Sequence, residues 1–178
     1  MNYGAIKDCD IANGPGVRVS LFVSGCTHHC KDCFQPETWN FQYGKPFTQE
    51  TAEAILALLS PDYICGITIL GGEPFEPQNQ PEVLRLLRQI KSRYPQKSIW
   101  AYTGYTLEAD LLTDRLGMPE ITREILSLLD VLVDGEFKTE LKNLRLKFRG
   151  SENQRLIDLP KTRKNHGTVV LWDEKGSL

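Results

Sequence analysis

Val17-Arg-Val-Ser-Leu-Phe-Val23, running straight into Ser24-Gly-Cys-Thr-His-His-Cys-Lys-Asp-Cys-Phe34, decides how this chain is read. Val17, Val19, Leu21 and Val23 alternate with Arg18, Ser20 and Phe22, the two-residue period of a strand. Three cysteines then crowd into eight residues. Three more apolar stretches end in equally unusual loops. Gly66-Ile-Thr-Ile-Leu70 runs into Gly71-Gly-Glu-Pro74, Ser98-Ile-Trp-Ala-Tyr102 into Thr103-Gly-Tyr105, and Val131-Leu-Val-Asp134 into Gly135.

Helical periodicity fills the spaces between these strands. Ala52, Ile55, Leu56 and Leu59 form one stripe over 48–59, with Thr48 as N-cap and Ser60-Pro61 as stop. Val83, Leu86, Leu87, Ile90 and Tyr94 form another, with Pro81 near its start and Pro95 at its close. Shorter helical segments are predicted over 107–112 and 121–129, interrupted around Gly117-Met-Pro119. Leu156-Ile157 and Thr168-Val-Val-Leu-Trp172 read as short strands, and the last few residues as a fraying end. Alternating strands and helices predict an α/β fold, a mostly parallel sheet with flanking helices. In such sheets active sites form from loops at the carboxyl ends of strands. The four special loops therefore converge on one site.

The bulk numbers agree with a single domain over 1–178, with 40% apolar and 25% charged residues. A net charge of −2 excludes a broad basic field for nucleic acid or an anionic membrane. The short basic run Lys161-Thr-Arg-Lys164 reads as a solvated tail. No apolar stretch is long enough to span a bilayer, and Met1-Asn-Tyr-Gly-Ala-Ile-Lys-Asp lacks a signal layout. The expectation is a cytoplasmic chain with reduced thiols. Five cysteines, an odd number unevenly placed, do not suggest a disulfide framework.

Cys26, Cys30 and Cys33 stand at C-x₃-C-x₂-C spacing. Three thiolates on a tight loop can hold three irons of a cubane cluster and leave the fourth iron open, whereas electron-transfer [4Fe–4S] clusters use four cysteines. The competing reading is zinc on three cysteines and a histidine. His28 and His29 lie awkwardly between ligand positions, and His166 is far along the chain. Cys9 and Cys65 read as buried or incidental thiols. Gly71 and Gly72 present backbone groups with no side chain in the way, Glu73 can accept bonds from an ammonium group, and Pro74 fixes the turn. A plain strand-to-loop turn is the alternative for that segment.

Together these motifs resemble the radical S-adenosylmethionine superfamily: the cysteine loop with Phe34 beside its last cysteine, and Gly71-Gly-Glu-Pro74 as methionine-binding motif. Asn13-Gly-Pro-Gly-Val-Arg18 resembles the entry motif of glycyl-radical-enzyme activases. Phe22-Val-Ser-Gly-Cys26, Thr38-Trp39, Tyr102-Thr-Gly-Tyr105, Val131-Leu-Val-Asp-Gly135 and the segment from Arg149 to Arg155 resemble the activators of anaerobic ribonucleoside-triphosphate reductase. The resemblance covers about 3–158. The chain departs from the shortest members in continuing over 159–178 and in a longer linker around Gly117-Met-Pro119.

The resemblance implies a partial (β/α) barrel, a [4Fe–4S] cluster on Cys26, Cys30 and Cys33, and reductive cleavage of S-adenosylmethionine. It implies that the 5′-deoxyadenosyl radical makes a glycyl radical on the reductase large subunit, with a flavodoxin-like or other low-potential donor. Asp32, Cys33 and Phe34 would line the adenine side of the cofactor, and Gly71, Gly72 and Glu73 would hold the methionine ammonium. Asn13 to Arg18 would meet the partner or shape the pocket. Thr103 and Asp134 are candidates for a cofactor or cation contact, with loop geometry as the alternative there and at Tyr105. Trp39 and Trp172 read as packing residues. Four alternatives stay open at this point: an activase of pyruvate formate-lyase type, a small 7-deazaguanine-type synthase, a non-enzymatic metal module, or a thiol relay.

Overall fold

The structure, a computed structural model, describes residues 1–173; the fraying expected of the last few residues falls largely outside the described part. One sheet organises the chain. Its strands are β1 Asn2–Asp10, β2 Val17–Val23, β3 Lys45–Pro46, β4 Ile64–Gly71, β5 Ser98–Tyr102, β6 Val131–Asp134 and β7 Arg155–Asp158. Their spatial order is β3-β1-β2-β4-β5-β6-β7, so the sheet is open. The four strands expected from the sequence, β2, β4, β5 and β6, are its parallel centre. The flanks are antiparallel: β1 pairs with β2 and β3, and β7 with β6. The sheet is therefore mixed, with the expected parallel strands at its centre and antiparallel strands at both edges.

The helices are α1 Gln49–Leu58, α2 Gln80–Arg93, α3 Pro119–Leu128 and α4 Leu159–Lys164. Thr48 caps α1 as expected, accepting from the Thr51 amide, and Thr51 returns the bond in a capping box. Pro81 and Pro119 occupy first-turn positions of α2 and α3, where a missing amide hydrogen costs nothing. Gly117 turns the chain before α3 with φ +70°. The segment expected as helix over 107–112 is one π-helical turn, Leu107–Leu111. Among the described residues no helix is long and apolar enough to cross a membrane.

One face of the sheet is apolar. Val19, Leu21, Ile67, Ile69, Ile99 and Leu132 pack against Ile55, Leu59, Leu86, Leu87, Ile90 and Ile125 of the helical layer in a single cluster. Each such side chain contributes about 2 kcal/mol when taken from water. The opposite face is different. Trp100, Val131 and Val133 form a small cluster there with Phe148, Leu156 and Trp172. Beside it Arg18 is wholly buried, donating to Thr68 Oγ1 (2.8 Å), Ser98 Oγ (2.9 Å), Ile67 O (2.7 Å) and Ser98 O (3.1 Å), with Trp100 under its guanidinium. Loops and the segment around Trp172, rather than helices, cover this face.

The basic run is not a free tail. It belongs to α4, which Asp158 caps, and Arg163 donates to Leu126 O. Beyond it Leu171 bridges to Ile157, so the short strand expected over 168–172 is a partial one against β7. Cys9 and Cys65, read as buried or incidental thiols, are both exposed. They sit on strand positions that face solvent, where apolar surface gives no reason for burial.

Candidate active site

The loops that leave β2, β4, β5 and β6 are tied to one another by main-chain bonds. Gly72 N donates to Val23 O (2.7 Å) and Glu73 N to Gly25 O (2.8 Å), so the Gly-Gly-Glu loop is sewn to the start of the cysteine loop. Thr103 N donates to Val133 O (2.9 Å), and Gly135 N to Tyr105 O (2.9 Å). The short helix Pro36–Trp39 props the cysteine loop from outside, with Gly25 N on Thr38 O and Cys26 N on Trp39 O. Gly25 turns with φ +99°, and a Cβ there would strike the Phe41 ring at 2.2 Å. At Gly72 a Cβ would lie 2.6 Å from Gly25 O. Gly25 thus leaves room for the Phe41 ring, and Gly72 for close approach of the main chain of the cysteine loop.

Glu73 is 1% exposed and its carboxylate is the hub of the site. Oε1 accepts from Phe75 N (2.9 Å); Oε2 accepts from Gly104 N (2.8 Å) and lies 3.1 Å from His28 Nε2. One side chain thus joins the loops after β2, β4 and β5. Sequence reasoning missed its neighbours. Glu76 Oε1 accepts from Thr27 N and Thr27 Oγ1, and Asn79 Nδ2 donates to Ser24 O and Glu73 O. Their only signal was nearness to the Gly-Gly-Glu-Pro motif.

A cavity of about 460 Å³ opens over these loops. Its lining includes Cys26, Cys30, Asp32, Cys33, Phe34, Gly71, Gly72, Glu73 and Thr103. The three clustered cysteines, their neighbours Asp32 and Phe34, the Gly-Gly-Glu loop and Thr103 are thus brought to one space. Phe34 is 74% exposed at the rim. The far wall is a strap from Phe137 to Gly150, with Lys142, Leu144, Leu146, Phe148 and Arg149 on the cavity. The sequence hinted at it only through the alternation Leu144-Arg-Leu-Lys-Phe148, which here is irregular chain.

Two expectations are revised. Asp134 lies outside this cavity: it accepts from Leu107 N (2.9 Å) and is paired with Arg155, which also grips Glu108. It fixes loop geometry. Within Asn13–Arg18, only Asn13 reaches the cavity. Thr68 Oγ1 holds its carbonyl (2.7 Å), and Arg18 is buried under the sheet face, away from any partner.

The cysteine loop is tight, with His29 (φ +52°) and Asp32 (φ +57°) in the left-handed region that disfavours side chains. All three thiols are free. Burial pushes the Cys26 thiol up to about 12, and the Glu73 charge adds to it. Burial likewise pushes Cys30 up to about 11, with Glu136 adding. The donor set fits a thiolate-bound iron–sulfur cluster. His28 Nε2 meets Glu73 and its ring meets Tyr105 edge-on, while His29 stacks on Trp39 at 4.7 Å. Among the described residues no three His, Cys, Asp or Glu side chains are grouped to hold a single ion.

Comparison with known proteins extends this geometry. Residues 12–157 match the model of the 4Fe-4S single cluster domain. The anaerobic ribonucleoside-triphosphate reductase-activating protein of enterobacteria phage T4 is 43% identical over 157 residues, 88% of this chain and 93% of that protein. The chain belongs to this family of activating proteins. Its Escherichia coli K12 relative is 42% identical over 86% of this chain and 96% of the relative, and the Vibrio cholerae relative is 40% identical over the same shares. The domain match spans all three clustered cysteines and the Gly-Gly-Glu loop, and stops before α4 and Trp172.

Proposed function

We propose that this chain activates an anaerobic ribonucleoside-triphosphate reductase by reductive cleavage of S-adenosylmethionine at a [4Fe–4S] cluster on Cys26, Cys30 and Cys33. The observation that carries the reading is the shared cavity: three free thiols and the Gly71-Gly72-Glu73 loop line one space at the carboxyl ends of adjacent parallel strands. A reduced cluster held there would supply the electron for cleavage of the sulfonium–C5′ bond to methionine and a 5′-deoxyadenosyl radical, the species that would take a hydrogen from a reductase glycine.

The chain's own residues bind and shield. Cys26, Cys30 and Cys33 would supply the thiolates that hold the cluster, and the loop itself carries no fourth cysteine. Gly71 and Gly72 keep the methionine end free of side chains. Glu73 offers its remaining lone pairs to the ammonium. Asp32 and Phe34 border the adenine side. Leu70, Leu144, Leu146 and Phe148 give the cavity apolar surface, and a bound cofactor would cover it. No side-chain acid or base is required.

The open sheet is read as the partial barrel of radical S-adenosylmethionine enzymes, its unclosed side admitting the partner's glycine loop. We read the chain as cytoplasmic, where thiols stay reduced, and served by a flavodoxin-like or other low-potential donor. The test is anaerobic mixing of the iron-loaded protein with S-adenosylmethionine, a reductant and the reductase. The expected products are 5′-deoxyadenosine and a glycyl electron-resonance doublet. Iron-loaded protein that binds S-adenosylmethionine yet forms neither product overturns the reading.

A further inference from the structure

We propose that Trp172, beyond the span matched by the cluster-domain family, is a positioning residue that holds the strap over the cavity and so sets affinity for S-adenosylmethionine. The proposal rests on the reading of the cavity given above.

The strap is fastened at two ends. Near its start Thr139 Oγ1 donates to Lys31 O (3.0 Å) and Asp32 Oδ2 (3.1 Å), on the cysteine loop itself. Near its end stands Phe148, a non-glycine residue with φ +58°. Such a conformation persists only where its surroundings over-determine it. Three contacts do so. Tyr102 OH donates to Phe148 O (2.7 Å), and the Phe148 ring meets Trp100 edge-on at 5.7 Å and Trp172 at 6.1 Å. Trp172 also meets Trp100 at 5.0 Å, which closes a three-ring clamp.

Trp100 and Tyr102 belong to the sheet and are fixed. Trp172 comes from the following segment and is fixed by that segment's own bonds. Trp172 N donates to Leu156 O (2.8 Å), Asp158 N to Val170 O (2.9 Å), and Val170 N to Thr162 Oγ1 (2.9 Å). The extension therefore reaches back along β7 and meets the strap at Phe148, with Trp172 itself outside the cavity lining. Leu144, Leu146 and Phe148 on that strap form the wall against which the cofactor's adenosine end would rest. Loosening the clamp widens the wall without touching the cysteines.

The test compares Trp172→Ala and Trp172→Phe with the parent in the iron-loaded protein. Hydrogen exchange is followed at Leu141, Lys142, Asn143 and Leu146, whose amides bond within the strap. Trp172→Ala should speed exchange there about tenfold with α2 unchanged, and raise KM for S-adenosylmethionine about fivefold with kcat for 5′-deoxyadenosine within about twofold. Trp172→Phe should restore both. Unchanged strap exchange, or equal acceleration in α2, overturns the proposal. If Trp172→Ala does not fold, Phe148→Leu must give the same localised exchange from the other side of the clamp, and a failure to do so overturns it equally. Protein that forms no 5′-deoxyadenosine at all defeats the proposed function instead, and exchange still decides the clamp.

Discussion

On its helical face the sheet presents Val19, Leu21, Ile67, Ile69, Ile99 and Leu132 to three amphipathic helices. On the other it presents Arg18, Ser20, Thr68, Trp100 and Tyr102 to loops, a strap and one returning segment. The first face is held by apolar burial, which is non-directional and tolerates exchange of similar side chains. The second is held by hydrogen bonds and ring edges, which tolerate little. Stability resides mainly on one side and chemistry on the other, and the two should fail separately.

The sharpest way to break that comparison is Cys30→Ala. Iron should fall from about four per chain to below about one, with 5′-deoxyadenosine formation lost, while thermal unfolding of the metal-free protein stays close to that of the parent. Unfolding of the helical layer in this variant would show that the two faces are not separable. Leu21→Ala attacks the other side. It should lower stability by about 3 kcal/mol in denaturant titration, with iron content of the folded fraction unchanged. Arg18→Met tests whether the polar face also supports the fold. Thr68, Ser98 and two carbonyls lose their donor, and the expected loss is about 2–3 kcal/mol. A neutral or stabilising result would mean that apolar contact with Trp100 replaces the guanidinium fully.

The smallest effect concerns Arg155→Met, which unpairs buried Asp134 and should cost about 1–2 kcal/mol at pH 7. Its partner Glu108 gives the pH dependence. The bond from Arg155 holds the Glu108 carboxyl below its ordinary 4.5. A lowered acid contributes stability above that value and loses it as pH falls through the folded one. The gap between parent and variant should therefore narrow below pH 4.5, by a fraction of a kcal/mol because the pair is partly exposed.

The same contrast governs what the sequence revealed. β2, β4, β5 and β6 and helices α1 and α2 were legible because apolar period and caps both mark them. β1 was not: Asn2-Tyr-Gly-Ala-Ile-Lys-Asp-Cys-Asp10 is half-exposed and has no clean alternation. Two-residue β3 offers no period at all. At the candidate site, the convergence of Cys26, Cys30, Cys33, Gly71, Gly72 and Glu73 on one cavity was legible through spacing and strand-end position. The burial of Arg18, the pairing of Asp134 with Arg155, and the Phe148 clamp were not. Each depends on partners brought from distant parts of the chain, and no local pattern records them.

Glu73 meets His28 and Gly104 through one oxygen and Phe75 through the other, and this wiring bears on how such a site can be inherited or borrowed. A cysteine loop grafted alone onto another open α/β sheet would arrive without the carboxylate that meets its His28 and without the third loop that steadies that carboxylate. The transferable unit is the triplet of crossover loops with the opening of α2. Shorter transplants should acquire iron loosely, and only the whole triplet should acquire it in one orientation.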